Sequence, residues 1–275
     1  MLKPALIMLL LLLPGWGVQA IVVRHDTGYA QHLASETQFP AVFWLQQKSQ
    51  RKVCVATLIA PQWALTAAHC VEETGIQRNL ESDAGFHVSI AREQIGIEAA
   101  ILHPNYQYRY SIDNGELEVD LALLRLERAV ETVRPLSLYA GTDELEQVAT
   151  FLGWGYFGIG TTGIQVDDGR LRKAQNRVSA VSSGRLNFLF DDPRVDANTS
   201  LSLEGLPGLG DSGGPALLPS SEGYVLAGIA VGEISAVPGV GEGQGLYGAT
   251  AVYERVSSHR AWIENTIEAY SEAGT

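Results

Sequence analysis

Short apolar runs separated by glycine, proline and polar clusters make up the chain beyond its first twenty residues. Val53 to Ile59, Trp63 to Ala67, Leu121 to Leu126, Val148 to Leu152 and Val225 to Val231 are the clearest. Runs of this length, rich in β-branched and aromatic residues and bounded by turn formers, predict strands. The 29 glycines among 275 residues suit the many tight turns such strands need. Only near the C-terminus does the apolar spacing become helical. There Trp262, Ile263, Thr266, Ile267 and Tyr270 line one face, and Ser257 or Ser258 stands where an N-cap hydroxyl is wanted. Glu72 to Gly85, Tyr110 to Glu118 and Ser182 to Ser200 read as loops, and Arg134 to Glu144 as a connection between two halves. The expected class is all-β with a terminal helix.

Residues 1–20 stand apart from this pattern. Lys3 is a short basic start, Ala5 to Leu13 is unbroken apolar, Pro14-Gly15 ends that run, and Val18-Gln19-Ala20 offers a small-residue cleavage site. The run is too short to span a bilayer as a helix. The expectation is a signal peptide cut near Ala20, export to the periplasm or extracellular space, and no stable membrane anchor. The chain carries a net charge of −12, and loss of the leader removes one lysine, leaving 18 basic against 31 acidic residues, a charge of −13. A surface this acidic repels phosphate backbones, which excludes nucleic acid as a partner. Cys54 and Cys70 are the only cysteines, and in an oxidising compartment a lone pair reads as one disulfide. No set of cysteines and histidines falls at metal-ligand spacing, so no metal or other cofactor is expected.

Three motifs carry candidate chemistry. In Gly210-Asp211-Ser212-Gly213-Gly214-Pro215 the glycines allow close approach of a substrate to the serine. A serine hydroxyl is a weak nucleophile until a base takes its proton; without that base the segment is a glycine-rich turn with an incidental serine. Thr66-Ala67-Ala68-His69-Cys70 supplies a histidine whose backbone the neighbouring cysteine would hold. Asp120, heading the apolar run Leu121 to Leu126, supplies a carboxylate to orient that histidine, unless it is only a solvated strand end.

In the order His69, Asp120, Ser212 these motifs resemble those of the chymotrypsin/trypsin family of serine proteases. His103-Pro104-Asn105-Tyr106, Gly153-Trp154-Gly155 and Val252 to Val256 followed by Trp262-Ile263 agree with that likeness, which extends over essentially the whole chain beyond the leader. The resemblance implies two packed six-stranded antiparallel β-barrels, residues 21–140 and 141–275, with a C-terminal helix and a cleft between the barrels. It implies a secreted endopeptidase in which Ser212 attacks the scissile carbonyl, His69 moves the proton and Asp120 holds the imidazole. The N–H groups of Gly210 and Ser212 would form the oxyanion hole. The expected protein is a monomer whose partners are a polypeptide substrate and, as a candidate, a protein inhibitor. The competing expectation is a non-catalytic or narrow-specificity peptide-binding relative of the same fold.

The chain also departs from the family pattern. An Ile21-Val22 start freed by signal cleavage would place its ammonium against Asp211, although Val23-Arg24 follows where the family has Gly-Gly. By position, Leu206 would floor the primary specificity pocket and Val231-Gly232-Glu233 would form its wall. That set argues against cleavage after Lys or Arg and implies small or medium apolar side chains. Val231 also removes a hydroxyl that commonly bonds the triad aspartate.

Overall fold

The computed structural model describes residues 21–49, 51–108, 117–195, 197–236 and 244–272. The expected leader 1–20, most of the loop 110–118 and most of the glycine-rich insertion 237–245 lie outside the described residues. No described helix is long and apolar enough to cross a membrane.

A six-stranded antiparallel sheet runs, in spatial order, through Val42–Lys48, Arg51–Ala60, Trp63–Thr66, Ala122–Leu126, Glu93–Leu102 and His87–Ile90. A seven-stranded antiparallel sheet follows through Arg172–Arg177, Val148–Gly153, Pro215–Ser220, Gly223–Ile234, Thr250–Arg255, Arg185–Leu189 and Ala180–Val181. The all-β fold of two barrel-like sheets with a terminal helix is therefore present. The second sheet exceeds the expected six strands by the two-residue segment Ala180–Val181.

A smaller sheet orders Gly163–Val166, Phe157–Ile159, Ile21–Val23 and Gly205–Leu206. In it Val22 stands opposite Leu206, and Ile21 runs parallel to Phe157. Ile21–Val23 is thus wholly buried between the strand Phe157–Ile159 and the strand Gly205–Leu206 that precedes Ser212.

Two cores hold these sheets. One contains Leu58, Leu65, Leu123 and Leu124 from the first sheet, and also Leu152, Leu217, Leu226 and Ile229 from the second. The other lies within the second half around Phe151, Phe188 and Tyr253, whose rings pack at 4.8 to 5.1 Å. Because the first core is shared, the halves are fused by apolar contact along their length. The C-terminal helix Val256–Glu272 lays Ile263 into the shared core. Its Tyr270 meets Trp63 of the first sheet edge-on at 5.5 Å.

Three local expectations need correction. The polar stretch from Glu72 opens with two short helices, Ala68–Thr74 and Ile76–Glu81, hinged at Gly75 with φ +72°. The stretch Ser182 to Ser200 contains the strand Arg185–Leu189, paired with Thr250–Arg255. Ser257 and Ser258 do not cap the helix. The strand passes directly into it, and their hydroxyls bond Glu144 and the Ser183 carbonyl instead.

Candidate active site

His69 is carried on the first turn of the helix Ala68–Thr74, immediately after the strand Trp63–Thr66. Cys54 and Cys70 form the expected disulfide, with Cα atoms 5.8 Å apart, tying this turn to the neighbouring strand. Asp120 precedes the strand Ala122–Leu126, which pairs with Trp63–Thr66 so that Thr66 faces Ala122. That register brings His69 and Asp120 together across a sequence gap of 51 residues. Asp120 is fully buried. Its Oδ1 accepts the His69 backbone N–H at 2.8 Å, and its Oδ2 pairs with Nδ1 of the ring at 2.5 Å. Burial pushes the His69 imidazole down, but the charge and hydrogen bond of Asp120 outweigh it and leave the pKa above its ordinary value. The Nδ1 bond leaves Nε2 as the other ring position for proton transfer. Both sulfurs near this ring are spent in the disulfide, so they are not available as thiolate ligands.

Ser212 enters from the second half, on the loop between Gly205–Leu206 and Pro215–Ser220. The loop is docked onto the first sheet: Cys54 N–H donates to the Gly210 carbonyl at 3.0 Å, and Val55 N–H to the Ser212 carbonyl at 2.8 Å. Among the described residues the N–H groups of Gly210 and Ser212 themselves donate to nothing. Gly210 has φ +99°, a conformation that glycine adopts without steric cost. Gly213, at φ +77°, lies so close to the first sheet that a Cβ there would come within 2.2 Å of the Val55 carbonyl.

Asp211 turns inward. Its Oδ1 accepts the Gly155 N–H at 2.6 Å and its Oδ2 the Gly208 N–H at 2.8 Å. Burial pushes its carboxyl up to about 7 against those two bonds and the nearby charge of Arg172. Ile21 lies at the level of Phe157 and one position beyond the Val22–Leu206 pair, next to the two segments that hold Asp211. It is wholly buried and has φ +63°, a left-handed value that a β-branched residue rarely takes.

A cavity of about 70 Å³ adjoins Ser212, lined by Pro207, Leu209, Ala230, Gly232, Glu233 and Gln244 among others. Glu233 reaches back to accept the Gly245 N–H with both oxygens, at 2.9 and 3.1 Å. Burial pushes its carboxyl up to about 7. A bulge at Val231 shifts the register between Ala230 and Gly232, and so re-aims Glu233. Leu206 does not line the cavity. Its side chain is buried in the second core, where pairing with Val22 holds it, and Val231 is buried in the shared core.

Two packed antiparallel sheets, with a buried Asp–His pair on one and a glycine-flanked serine loop docked from the other, are the architecture of the two-barrel serine proteases. Residues 30–263 match the family model described as Trypsin, and the chain belongs to this family. It is 28% identical over 246 residues to transmembrane protease serine 11C of Mus musculus, matching 84% of this chain and 51% of that protein. It is 27% identical to the suppressor of tumorigenicity 14 protein homolog of Bos taurus, covering 27% of that protein's length. Against trypsin V-B of Rattus norvegicus the identity is 28%, over 79% of this chain and 80% of the relative. The fold is similar to neuropsin, a serine protease expressed in the limbic system of mouse brain. The TM-score is 0.63, at 19% identity over 86% of this chain and 98% of that one.

Proposed function

We propose that the protein is an exported serine endopeptidase working through Ser212, His69 and Asp120. The observation that carries this reading is the double engagement of His69 by the buried Asp120, at its backbone and at Nδ1. With Nδ1 occupied, Nε2 is the base that takes the Ser212 proton as Oγ attacks a peptide carbonyl. The oxyanion then meets the N–H groups of Gly210 and Ser212. His69 returns the proton to the leaving amine, and water hydrolyses the acyl-enzyme by the same relay.

The buried start of the chain supports activation by removal of residues 1–20. While a peptide bond precedes it, Ile21 is held in a strained backbone conformation; as a free N-terminus that restraint is gone. Its ammonium then adds a positive charge beside the buried Asp211, which is otherwise countered by two backbone N–H groups and the nearby charge of Arg172. This reading takes 21–140 and 141–275 as the two halves of one peptidase domain and the periplasm or extracellular space as its location. The primary pocket is the small cavity walled by Gly232 and Glu233, with Leu206 behind it as a packing residue and Val231 as the bulge that sets its shape. It favours small side chains before the scissile bond.

Labelling the purified chain with a fluorophosphonate and mapping the adduct by mass spectrometry tests the reading. The expected result is one adduct on Ser212, absent from Ser212→Ala. No adduct in a protein whose N-terminus is Ile21 would overturn it.

A further inference from the structure

Behind the Asp120–His69 pair stands a second acid–imidazole pair. The backbone N–H of Asp120 donates to Glu254 Oε1 at 3.1 Å, and Glu254 Oε2 lies 3.6 Å from Nε2 of His259. Glu254 is 1% exposed, so two carboxylates are buried in succession. They reach this arrangement because the strand Thr250–Arg255 runs straight into the helix Val256–Glu272. Glu254 then stands near the strand's end and His259 one turn into the helix.

Other titratable and charged groups also face Glu254 and His259. His103 meets His259 edge-on at 5.2 Å and Trp262 at 4.7 Å. Burial and the charge of His259 push His103 down to about 4, so it is neutral at pH 7. From the segment before Asp120 comes Glu118, also buried, and across the strand pair Arg185 is the register partner of Glu254. Val231 offers Asp120 no hydroxyl. The aspartate is instead anchored from behind, through its own N–H.

We propose that Glu254 is a positioning residue for the catalytic pair. Its carboxyl group fixes the Asp120 backbone and, when ionised, places a second negative charge behind the imidazole, which His259 offsets in part when it is protonated. The proposal rests on the triad reading above and adds a further acid to the charges of Asp120, Glu73 and Glu72 that raise its histidine. A negative charge near an imidazolium favours the protonated ring, and a positive one disfavours it. The two residues therefore act on His69 in opposite directions.

The test is a ¹⁵N NMR titration of the His69 ring in the full purified chain, which reads its pKa whether or not the protein turns over. In Glu254→Gln the acceptor for the Asp120 N–H remains and the charge is gone, and the His69 pKa is expected to fall by roughly half a pH unit. In His259→Gln it is expected to rise by a similar amount. Glu254→Asp, which restores the charge, should bring the value back toward that of the unaltered chain. Thermal unfolding of each variant separates these shifts from loss of fold. An unchanged His69 titration in either Gln variant, or shifts of the same sign, overturns the proposal. Shifts of the expected signs in a protein that takes no fluorophosphonate would uphold it and remove the protease reading instead.

Discussion

Asp120 has no solvent contact and spends both oxygens on His69. An amide in its place would keep the shape but present its NH₂ or the wrong acceptor to the ring. Asp120→Asn is expected to lower kcat by about 10⁴, the loss seen in the best-studied serine proteases, with little change in KM. Steady-state kinetics on a small-residue peptide ester checks it. Asp211 makes a prediction about stability. Its folded pKa is raised to about 7, against about 4 for an unfolded aspartate. Between those values the folded state holds more protons than the unfolded state, so stability falls as pH rises through that window. In a chain that retains residues 1–20, thermal unfolding temperatures should decline from pH 4 to pH 7, and Asp211→Asn should lessen the decline, leaving the part that Glu233, also raised to about 7, contributes. The motifs around His69, Asp120 and Ser212 were legible because each sits beside an apolar run and their order is informative. Glu254 was not. In the sequence it is one polar residue in a strand, and its partner Asp120 is 134 positions away.

At the level of elements, the strand Ala122–Leu126 was legible because a continuous apolar run announces itself, whereas Pro215–Ser220, just as buried at its start, was not predicted, since prolines interrupt its run. The helix that carries His69 and the one after it were hidden because each has only six or seven residues and a left-handed glycine separates them. Such short turns carry too few apolar positions to display a period. Arg185–Leu189 escaped for a related reason: one of its inward positions is Arg185, which reads as surface. The disulfide closes a separation of 16 residues beside His69. Replacing both cysteines by alanine is expected to cost about 3 kcal/mol in chemical denaturation, from the added freedom of the unfolded chain. Gly213→Ala should be comparably damaging. A Cβ there meets the Val55 carbonyl and Thr66 Oγ1 at 2.2 and 2.3 Å, on a backbone already at φ +77°. A loss of roughly 2–4 kcal/mol is expected from strain and overpacking, measurable by urea unfolding.

Across the whole molecule, the shared core makes one unit of two halves, and the buried strand Ile21–Val23 ties residues 21–23 to the segments around Phe157 and Leu206. An α-ammonium titrates near pH 8 when free and higher when paired with a buried carboxylate. The chain beginning at Ile21 should therefore lose kcat/KM reversibly on the alkaline side as that ammonium deprotonates. A chain extended by even a few residues should show little activity at any pH, and pH–rate profiles of the two forms check this. The docking of the serine loop has a further consequence, in the time domain. The amides of Cys54 and Val55 belong to one sheet and donate to carbonyls of the other half. They can exchange their hydrogens for deuterium only when the halves part at the seam beside Ser212. Their exchange rates are therefore a built-in clock for how often the assembled site comes apart. In a substrate-loaded or inhibitor-loaded molecule those two amides should slow more than any others in the first sheet.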